Sequence, residues 1–297
     1  MTDAERTRRF LAARAAQVKR YNEAFRATAG EVTKILQSAG DLVRAELAAT
    51  ASEFQAWQLP NIQGNIDKAL AGIGEDLAKA GGAGTTRGHA IGVDLIDESV
   101  RAGGIRLSAV LPEVDVRQLM AIRTFMTDRL RNVTAEVAGR VRSQIGLSMV
   151  GAQTPGDAVS AVAGMIEGGR GRAITIVRTE MGRAFSVAAQ ERQEQAAIYL
   201  PGLKKQWRRS GKVHSRIAHD LADGQIVDVD QPFIVGGHRL MFPRDPAAPP
   251  SETINCGCTS LPYMEEWDVR QPGRQPLSKE EIARNPAKRI LRPFFED

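Results

Sequence analysis

Apolar residues recur at helical spacing along the first 60 residues of the chain. A seven-residue repeat runs through Leu11, Val18, Phe25 and Val32. Tyr21 and Ile35 occupy the intermediate position of this repeat, and Arg14 and Thr28 interrupt it. Such a repeat predicts a long helix packed lengthwise on another helix. That second helix belongs either to the same chain or to a second copy of the protein.

Further helices are predicted as far as residue 198. Pro60 is followed by an apolar face at Ile62, Ile66, Leu70, Ile73 and Leu77. The glycine-rich stretch Gly81–Gly88 lacks the ending of a phosphate-binding loop and is therefore interpreted as a flexible connector. A long helix follows Pro112. Thr154 is expected to cap a helix at Pro155, and Gly168, Gly169 and Gly171 are expected to interrupt it before a last helix over 173–198.

After Pro201-Gly202 the apolar segments become short and glycine and proline become frequent. Strands are predicted over 203–209, 225–229, 233–235, 238–242 and 259–264, with a short helix over 213–221. Gly236-Gly237 predicts a tight hairpin turn. The fold class is therefore α+β: a mostly helical N-terminal region followed by a small module with short antiparallel strands. Predicted boundaries are 1–169 for the helical region, 170–265 for the module and 266–297 for an extended C-terminal tail.

Composition and charge exclude only a few classes of protein. The formal net charge is +5 at pH 7, a mild basic excess that permits contact with nucleic acid or an acidic protein surface. No apolar run is long enough for a transmembrane helix, and the N-terminal residues do not have the pattern of a secretory signal. Cys256 and Cys258 are too close for an unstrained disulfide, so a reducing compartment is expected.

Residues 170–265 contain an ordered series of short motifs. They include Arg178-Thr179-Glu180, Trp207, Arg216-Ile217-Ala218-His219, Asp223-Gly224-Gln225, Pro232-Phe233, Pro243-Arg244-Asp245-Pro246 and Asn255-Cys256-Gly257-Cys258. This series resembles the phage Mu F-like head morphogenesis family, the minor head proteins of tailed phages. The chain departs from the family pattern at Lys212, where an acidic residue is common, and at His214 and Gly257, where arginine is common.

The resemblance implies an assembly role without enzymatic activity. The protein would be a minor head protein of a tailed phage or prophage, located in the capsid interior of the virion and in the host cytoplasm during assembly. Its expected partners are the portal protein or scaffold, the major capsid interior and phage DNA, and its N-terminal helices could self-associate. The expected role is in DNA packaging or ejection. The family also includes proteins with an appended toxin domain, for which the chain after residue 265 is too short.

Two alternatives to the assembly role stay open. The first is a toxin-like enzyme packaged with the genome, since Glu180, His219, Asp223 and Asp245 are possible acid–base groups. Against it, the sequence has no recognisable nucleophile–base spacing. The second is a DNA-binding effector, based on a basic stretch without acidic residues around Trp207. The cationic residues of this stretch are Lys204, Lys205, Arg208, Arg209, Lys212 and Arg216.

Two cysteines and two histidines form a candidate structural zinc site. Thiolate and imidazole are ligands that zinc prefers, and His219, Cys256, Cys258 and His214 would complete a closed site of four ligands. In an extended segment the cysteines of a C-x-C pair would point apart, so a tight turn at Gly257 is required to bring them together. The alternative is that both cysteines are small buried apolar residues and that His219 is a hydrogen-bonded core histidine.

Overall fold

The structure is a computed structural model that describes residues 1–49, 59–105, 111–150, 152–265, 267 and 274–295. Four long helices come first in the chain. They are α1 (Asp3–Ala49), α2 (Leu59–Ala102), α3 (Arg117–Met149) and α4 (Pro155–Ala197). None of the helices in these described ranges is both long and apolar enough to cross a membrane.

The remaining elements are short and confirm the predicted α+β class. In chain order they are β1 (Leu203–Arg208), α5 (Ile217–Leu221), β2 (Ile226–Asp228), β3 (Phe233–Val235), β4 (His238–Leu240), α6 (Pro250–Thr253), β5 (Thr259–Met264), α7 (Lys279–Arg284) and a 3₁₀ helix (Pro286–Phe294).

The chain divides into two compact units. The helical unit comprises Phe25–Gly84 and Ala121–Val177, and the mixed unit comprises Met1–Ala24, Thr85–Met120 and Arg178–Asp297. This division differs from the boundaries at residues 169 and 265 that composition suggests. Helices α1, α2 and α4 each supply residues to both units, so a boundary read along the chain cannot separate them.

The helical unit is built around apolar side chains from all four long helices. One core cluster combines Val32 and Leu36 of α1, Leu77 of α2, Leu130 of α3 and Val177 of α4, all at most 3% exposed. A second cluster includes Val43, Leu70, Val141 and Val162. Burial of these side chains is the main source of stability for a helical unit of this kind.

Both glycine-rich segments lie inside continuous helices, which corrects the predicted connector and the predicted interruption. Helix α2 runs through Gly81–Gly88, and α4 runs through Gly168, Gly169 and Gly171. At Gly84 an added Cβ would lie 2.6 Å from Thr28 Cγ2, and at Gly88 it would lie 2.8 Å from the Met181 carbonyl oxygen. These two glycines therefore permit close approach between helices.

In the mixed unit, two small antiparallel sheets follow the helices. The first has the strand order β2-β1-β5, with Gln206 opposite both Ile226 and Leu261. The second is the hairpin β3-β4, in which Gly236 and Gly237 both have positive φ, at +58° and +81°. Positive φ at both turn residues is the requirement of a tight hairpin turn, so the predicted hairpin is confirmed.

The C-terminal segment is folded where the sequence predicts an extended tail. Ser278 and Glu281 form a reciprocal capping box at the start of α7. Glu281, Lys288 and Leu291 are all buried. Hydrophobicity gives no signal for this arrangement, because two of the three buried side chains are charged.

Candidate metal centre

Three buried side chains converge in the mixed unit. The Nδ1 atom of His219 lies 3.5 Å from Cys256 Sγ and 3.6 Å from Cys258 Sγ. The three ligand atoms all lie within 4.8 Å of one another. Each residue is 2% exposed, so water does not compete freely for these atoms. The three could therefore hold a metal ion.

The spacing of these atoms fits one zinc ion. A tetrahedral ion with Zn–S of about 2.3 Å and Zn–N of about 2.0 Å separates a sulfur from a nitrogen ligand by about 3.5 Å. The two observed sulfur–nitrogen distances agree with this value. Both distances are therefore compatible with a zinc ion shared by the histidine and each cysteine.

Glu252 orients the histidine from its other side. Its Oε2 atom lies 2.8 Å from His219 Nε2. A carboxylate can only accept a hydrogen bond, so in the neutral ring Nε2 carries the proton and the lone pair of Nδ1 faces the two sulfurs. A carboxylate behind a histidine in this manner is the usual outer partner of a metal-ligating imidazole.

The local backbone turns both cysteines toward His219. The left-handed residue is Asn255, with φ +59°, so the turn predicted at Gly257 is located two residues earlier. The amide of Cys258 donates to Cys256 Sγ at 3.4 Å. The buried Arg244 donates to the carbonyl of Cys256 at 2.8 Å and to Ser186 Oγ at 2.8 Å. These contacts hold the C-x-C segment in a bent conformation.

The two thiols are inequivalent. A hydrogen bond from Cys258 lowers the pKa of Cys256 well below that of a free thiol, with further lowering by His219 and Arg244. The same hydrogen bond, together with burial, raises the pKa of Cys258. Burial opposes the charge of His219, but its contacts with Cys256 and Glu252 outweigh that effect and raise its pKa. Cys256 is therefore the first thiolate available to a metal.

His214 does not join the other three residues, which corrects the predicted set of four ligands. Its side chain is exposed, and its ring nitrogens lie outside the group of ligand atoms. It does line the cavity next to the group. The physical reason is its place in the segment that precedes α5, whereas His219 lies within that helix.

The other residues of the motif series are mostly structural in their contacts. Arg178 donates to Asn255 Oδ1 at 2.7 Å, and the hydroxyl of Thr179 accepts from the Asn255 amide at 3.0 Å. The buried Glu180 is paired with Arg183. Arg178 and Thr179 of α4 thus hold Asn255, the left-handed residue that precedes the two cysteines.

Further residues of the motif series lie around β1 and make buried or turn-forming contacts. The rings of Trp207 and Phe233 are fully buried and meet edge to face at 5.3 Å. Asp223 accepts from the Arg209 amide at 2.8 Å, and Gly224 has φ +81°. Asp245 accepts from the Met241 amide at 2.8 Å. Pro232 immediately precedes β3, and Pro243 is buried. These contacts give Asp223 and Asp245 roles in local turns.

The cations of the basic stretch around Trp207 mostly contact other groups of the same chain. Lys205 and Arg209 are buried: Lys205 Nζ donates to the Met241 carbonyl at 2.8 Å, and Arg209 pairs with Glu281 at 2.6 Å. Burial removes both from any surface that could meet phosphate. Four residues remain at least partly exposed, each with a protein partner: Lys204 with Glu265, Arg208 with Asp223, Lys212 with the Asn255 carbonyl and Arg216 with the Ile254 carbonyl.

Sequence reasoning assigned no role to several residues that organise this site. They are Glu252, Arg244 and the buried charges Asp220, Glu281 and Lys288. A signal did exist for two of them. Arg244 lies within the motif series and Glu252 lies three residues before its last motif, but only the distances identify their partners, which are 12 and 33 residues away in sequence.

Comparison with known proteins identifies two similar chains. The NAD(+)–arginine ADP-ribosyltransferase EFV of Enterococcus faecalis is 37% identical over 94 residues, which are 32% of this chain and 19% of that protein. The uncharacterized protein YqbB of Bacillus subtilis is 38% identical over 119 residues, 39% of this chain and 37% of YqbB. The chain thus spans about a fifth of the length of the Enterococcus faecalis protein and just over a third of the length of YqbB. No family model matches the chain, and no solved structure matches it significantly.

One of these similarities overturns an expectation. The motif series predicts a protein without enzymatic activity, and this prediction is wrong in view of the Enterococcus faecalis relative, which is named as an enzyme. The assembly role remains a prediction, since neither relative's name refers to a phage head.

Proposed function

We propose that this chain is a minor head protein of a tailed phage or prophage, with its mixed unit held together by a zinc ion bound to His219, Cys256 and Cys258. The observation that carries the proposal is that residues from separate motifs of the series lie around the same C-x-C segment. Arg178, His219, Arg244 and Asn255 each contact the C-x-C segment or its neighbours. These contacts join separate motifs of the series into one network, which supports the proposal.

In this role the protein associates with the portal or the scaffold in the procapsid and is enclosed in the head with the DNA. The long helices provide lengthwise surfaces for a partner or a second copy. The zinc ion would link the C-x-C segment to α5 and so stabilise the part of the mixed unit that is built from short strands.

Protease protection of purified particles tests the assembly role. The chain is followed by peptide mass spectrometry before and after the particles are opened, with a DNA-protected internal protein as the positive control. We expect the chain to co-purify and to be cleaved only after opening. Its absence from both procapsids and mature particles would refute the role.

We propose arginine ADP-ribosyl transfer as the second candidate function. The similarity to a protein named NAD(+)–arginine ADP-ribosyltransferase favours it. The test is incubation of the full chain with labelled NAD(+) and an arginine-rich acceptor, with heat-denatured chain as the control. Transfer of label to arginine is expected from this candidate, and acceptor without label rejects it.

A further inference from the structure

The candidate metal centre has one corner of its tetrahedron unassigned. Among the described residues, the compact group of ligand atoms has three members, His219, Cys256 and Cys258. Zinc sites with a structural role usually have four protein ligands, whereas sites that bind an exchangeable ligand have three. The structure therefore raises the question of what occupies the fourth position.

A cavity of about 190 Å³ adjoins the three ligands. Its other lining residues include Ser210, Lys212, Ser215 and Arg216, and none of the described lining residues is acidic. A water molecule occupies about 30 Å³ in the liquid, so the cavity has room for a ligand of several non-hydrogen atoms. Glu252 contacts His219 but is not among the lining residues.

Lys212 is a cavity-lining cation that lies against the C-x-C segment. An added Cβ at Gly257 would lie 2.8 Å from Lys212 Cε and 2.9 Å from Lys212 Nζ, so the lysine stem covers the glycine between the two cysteines. Its ammonium donates to the Asn255 carbonyl at 3.3 Å. An ammonium has three N–H donors, which leaves donors for a ligand inside the cavity.

The charge of the site selects an anion. One Zn²⁺ ion and two thiolates sum to zero, and the neutral imidazole adds nothing. The cavity-lining cations Lys212 and Arg216 then leave positive charge beside the fourth position. A carboxylate offsets that charge with one oxygen on the metal and the other on Lys212, and carboxylate oxygen is an accepted zinc ligand.

We propose that the fourth coordination position opens into this cavity and binds an exogenous carboxylate held by Lys212. This inference rests on the proposed zinc site. The carboxylate comes from a free small acid or from an acidic side chain of a partner protein, and both sources present the same chemistry to the metal.

Cobalt substitution tests the proposal in the full chain. Co²⁺ is added to metal-free protein, and the thiolate-to-cobalt charge-transfer band and the visible d–d bands are recorded during titrations with acetate and with an aspartate-containing peptide. We expect the charge-transfer band at one equivalent of Co²⁺, and saturable changes in the d–d bands on addition of acetate. Peptide binding at much lower concentration than acetate would assign the source to a partner protein, and equal binding would assign it to a free acid.

Two variants separate the possible outcomes. Lys212→Met should retain the charge-transfer band and weaken acetate binding about tenfold, the scale of one charge-assisted hydrogen bond. His214 also lines the cavity, and His214→Ala tests whether it supplies the fourth ligand: the spectra recorded without acetate should be unchanged. A normal charge-transfer band with no response to acetate, or d–d bands altered by His214→Ala, would overturn the open position while keeping the metal. Absence of the charge-transfer band would overturn the metal site together with this inference.

Discussion

The helical unit and the mixed unit are held together by different kinds of interaction. In the helical unit, apolar side chains from four helices share two core clusters. In the mixed unit, an apolar cluster around Trp207 and Phe233 is accompanied by buried charges and by three side chains that could hold a metal ion. A regular apolar spacing specifies most of the first kind of core. The second kind requires particular polar residues, each with a particular partner.

The largest effect is expected where a buried charge is removed from the mixed unit. Lys288 is fully buried and pairs with Asp220 at 3.1 Å and with Glu281 at 2.8 Å. Lys288→Met leaves these carboxylates short of a partner and should cost about 3–5 kcal/mol of unfolding free energy. The exposed Lys279→Met is the matched control and should cost little. Denaturant unfolding followed by tryptophan fluorescence measures both, and equal effects would contradict the buried network.

Such a network explains why the tail could not be predicted from the sequence. Charged residues at 281 and 288 suggest an exposed segment, and their burial depends on Arg209 and Asp220, which lie about 70 residues earlier. His219, Cys256 and Cys258 were predictable because thiol and imidazole groups have a recognisable metal chemistry. Glu252 was not, because a carboxylate is common on surfaces and only its distance to His219 distinguishes it.

The seven-residue repeat of α1 shows a similar limit of prediction from the sequence. Helical spacing predicted the helix, but the polar interruptions Arg14 and Thr28 are buried along with Tyr21, at 7%, 0% and 9% exposure. Arg14 donates to the Pro262 carbonyl at 3.0 Å, and Thr28 lies against Gly84. Apolar periodicity thus predicted the helix correctly. It did not predict which residues of the helix are most buried, because polar residues with hydrogen-bond or packing partners are buried as well.

A core truncation should have the next largest effect, this time in the helical unit. Leu130 is fully buried in the cluster that joins all four helices. Leu130→Ala should cost about 2–5 kcal/mol through lost burial and the cavity that remains. The control in the same helix is Leu147→Ala, because Leu147 is exposed and its loss should change stability by about 0.5 kcal/mol or less. Thermal unfolding followed by circular dichroism distinguishes them, and similar losses would contradict the described core.

Two glycines of α2 should respond in opposite directions to alanine. At Gly84 the new methyl would meet the buried Thr28 at 2.6 Å, so Gly84→Ala should cost about 1–3 kcal/mol. Nothing lies within 4 Å of the corresponding position at Gly72, so Gly72→Ala should stabilise the helix by about 1 kcal/mol. Denaturant midpoints of the two variants compare them directly. A stabilising Gly84→Ala would show that this stretch is not tightly packed.

Glu281→Gln should destabilise the chain at neutral pH, where the ionised carboxylate pairs with Arg209 and Lys288, and this difference from the parent chain should shrink in acid. Burial opposes the charge of Glu281, but hydrogen bonds from Arg209 and Lys288 outweigh it and lower its pKa to about 2. Its ionised form therefore stabilises the fold above the pKa of an unfolded glutamate, and that contribution is lost as pH falls toward 2. Unfolding titrations from pH 5 to pH 2 should show a steeper loss of stability for the parent chain than for Glu281→Gln. Parallel curves would contradict the pairing.

The central claim is that a metal ion bound by His219, Cys256 and Cys258 organises the mixed unit. Its most direct test is native mass spectrometry, supported by elemental analysis, of the purified full chain and of Cys256→Ser. The claim predicts one zinc ion per parent chain, none in the variant, and the release of zinc on acidification as protons compete for the ligands. Less than half an equivalent of zinc in the parent chain, or undiminished zinc in Cys256→Ser, would contradict it.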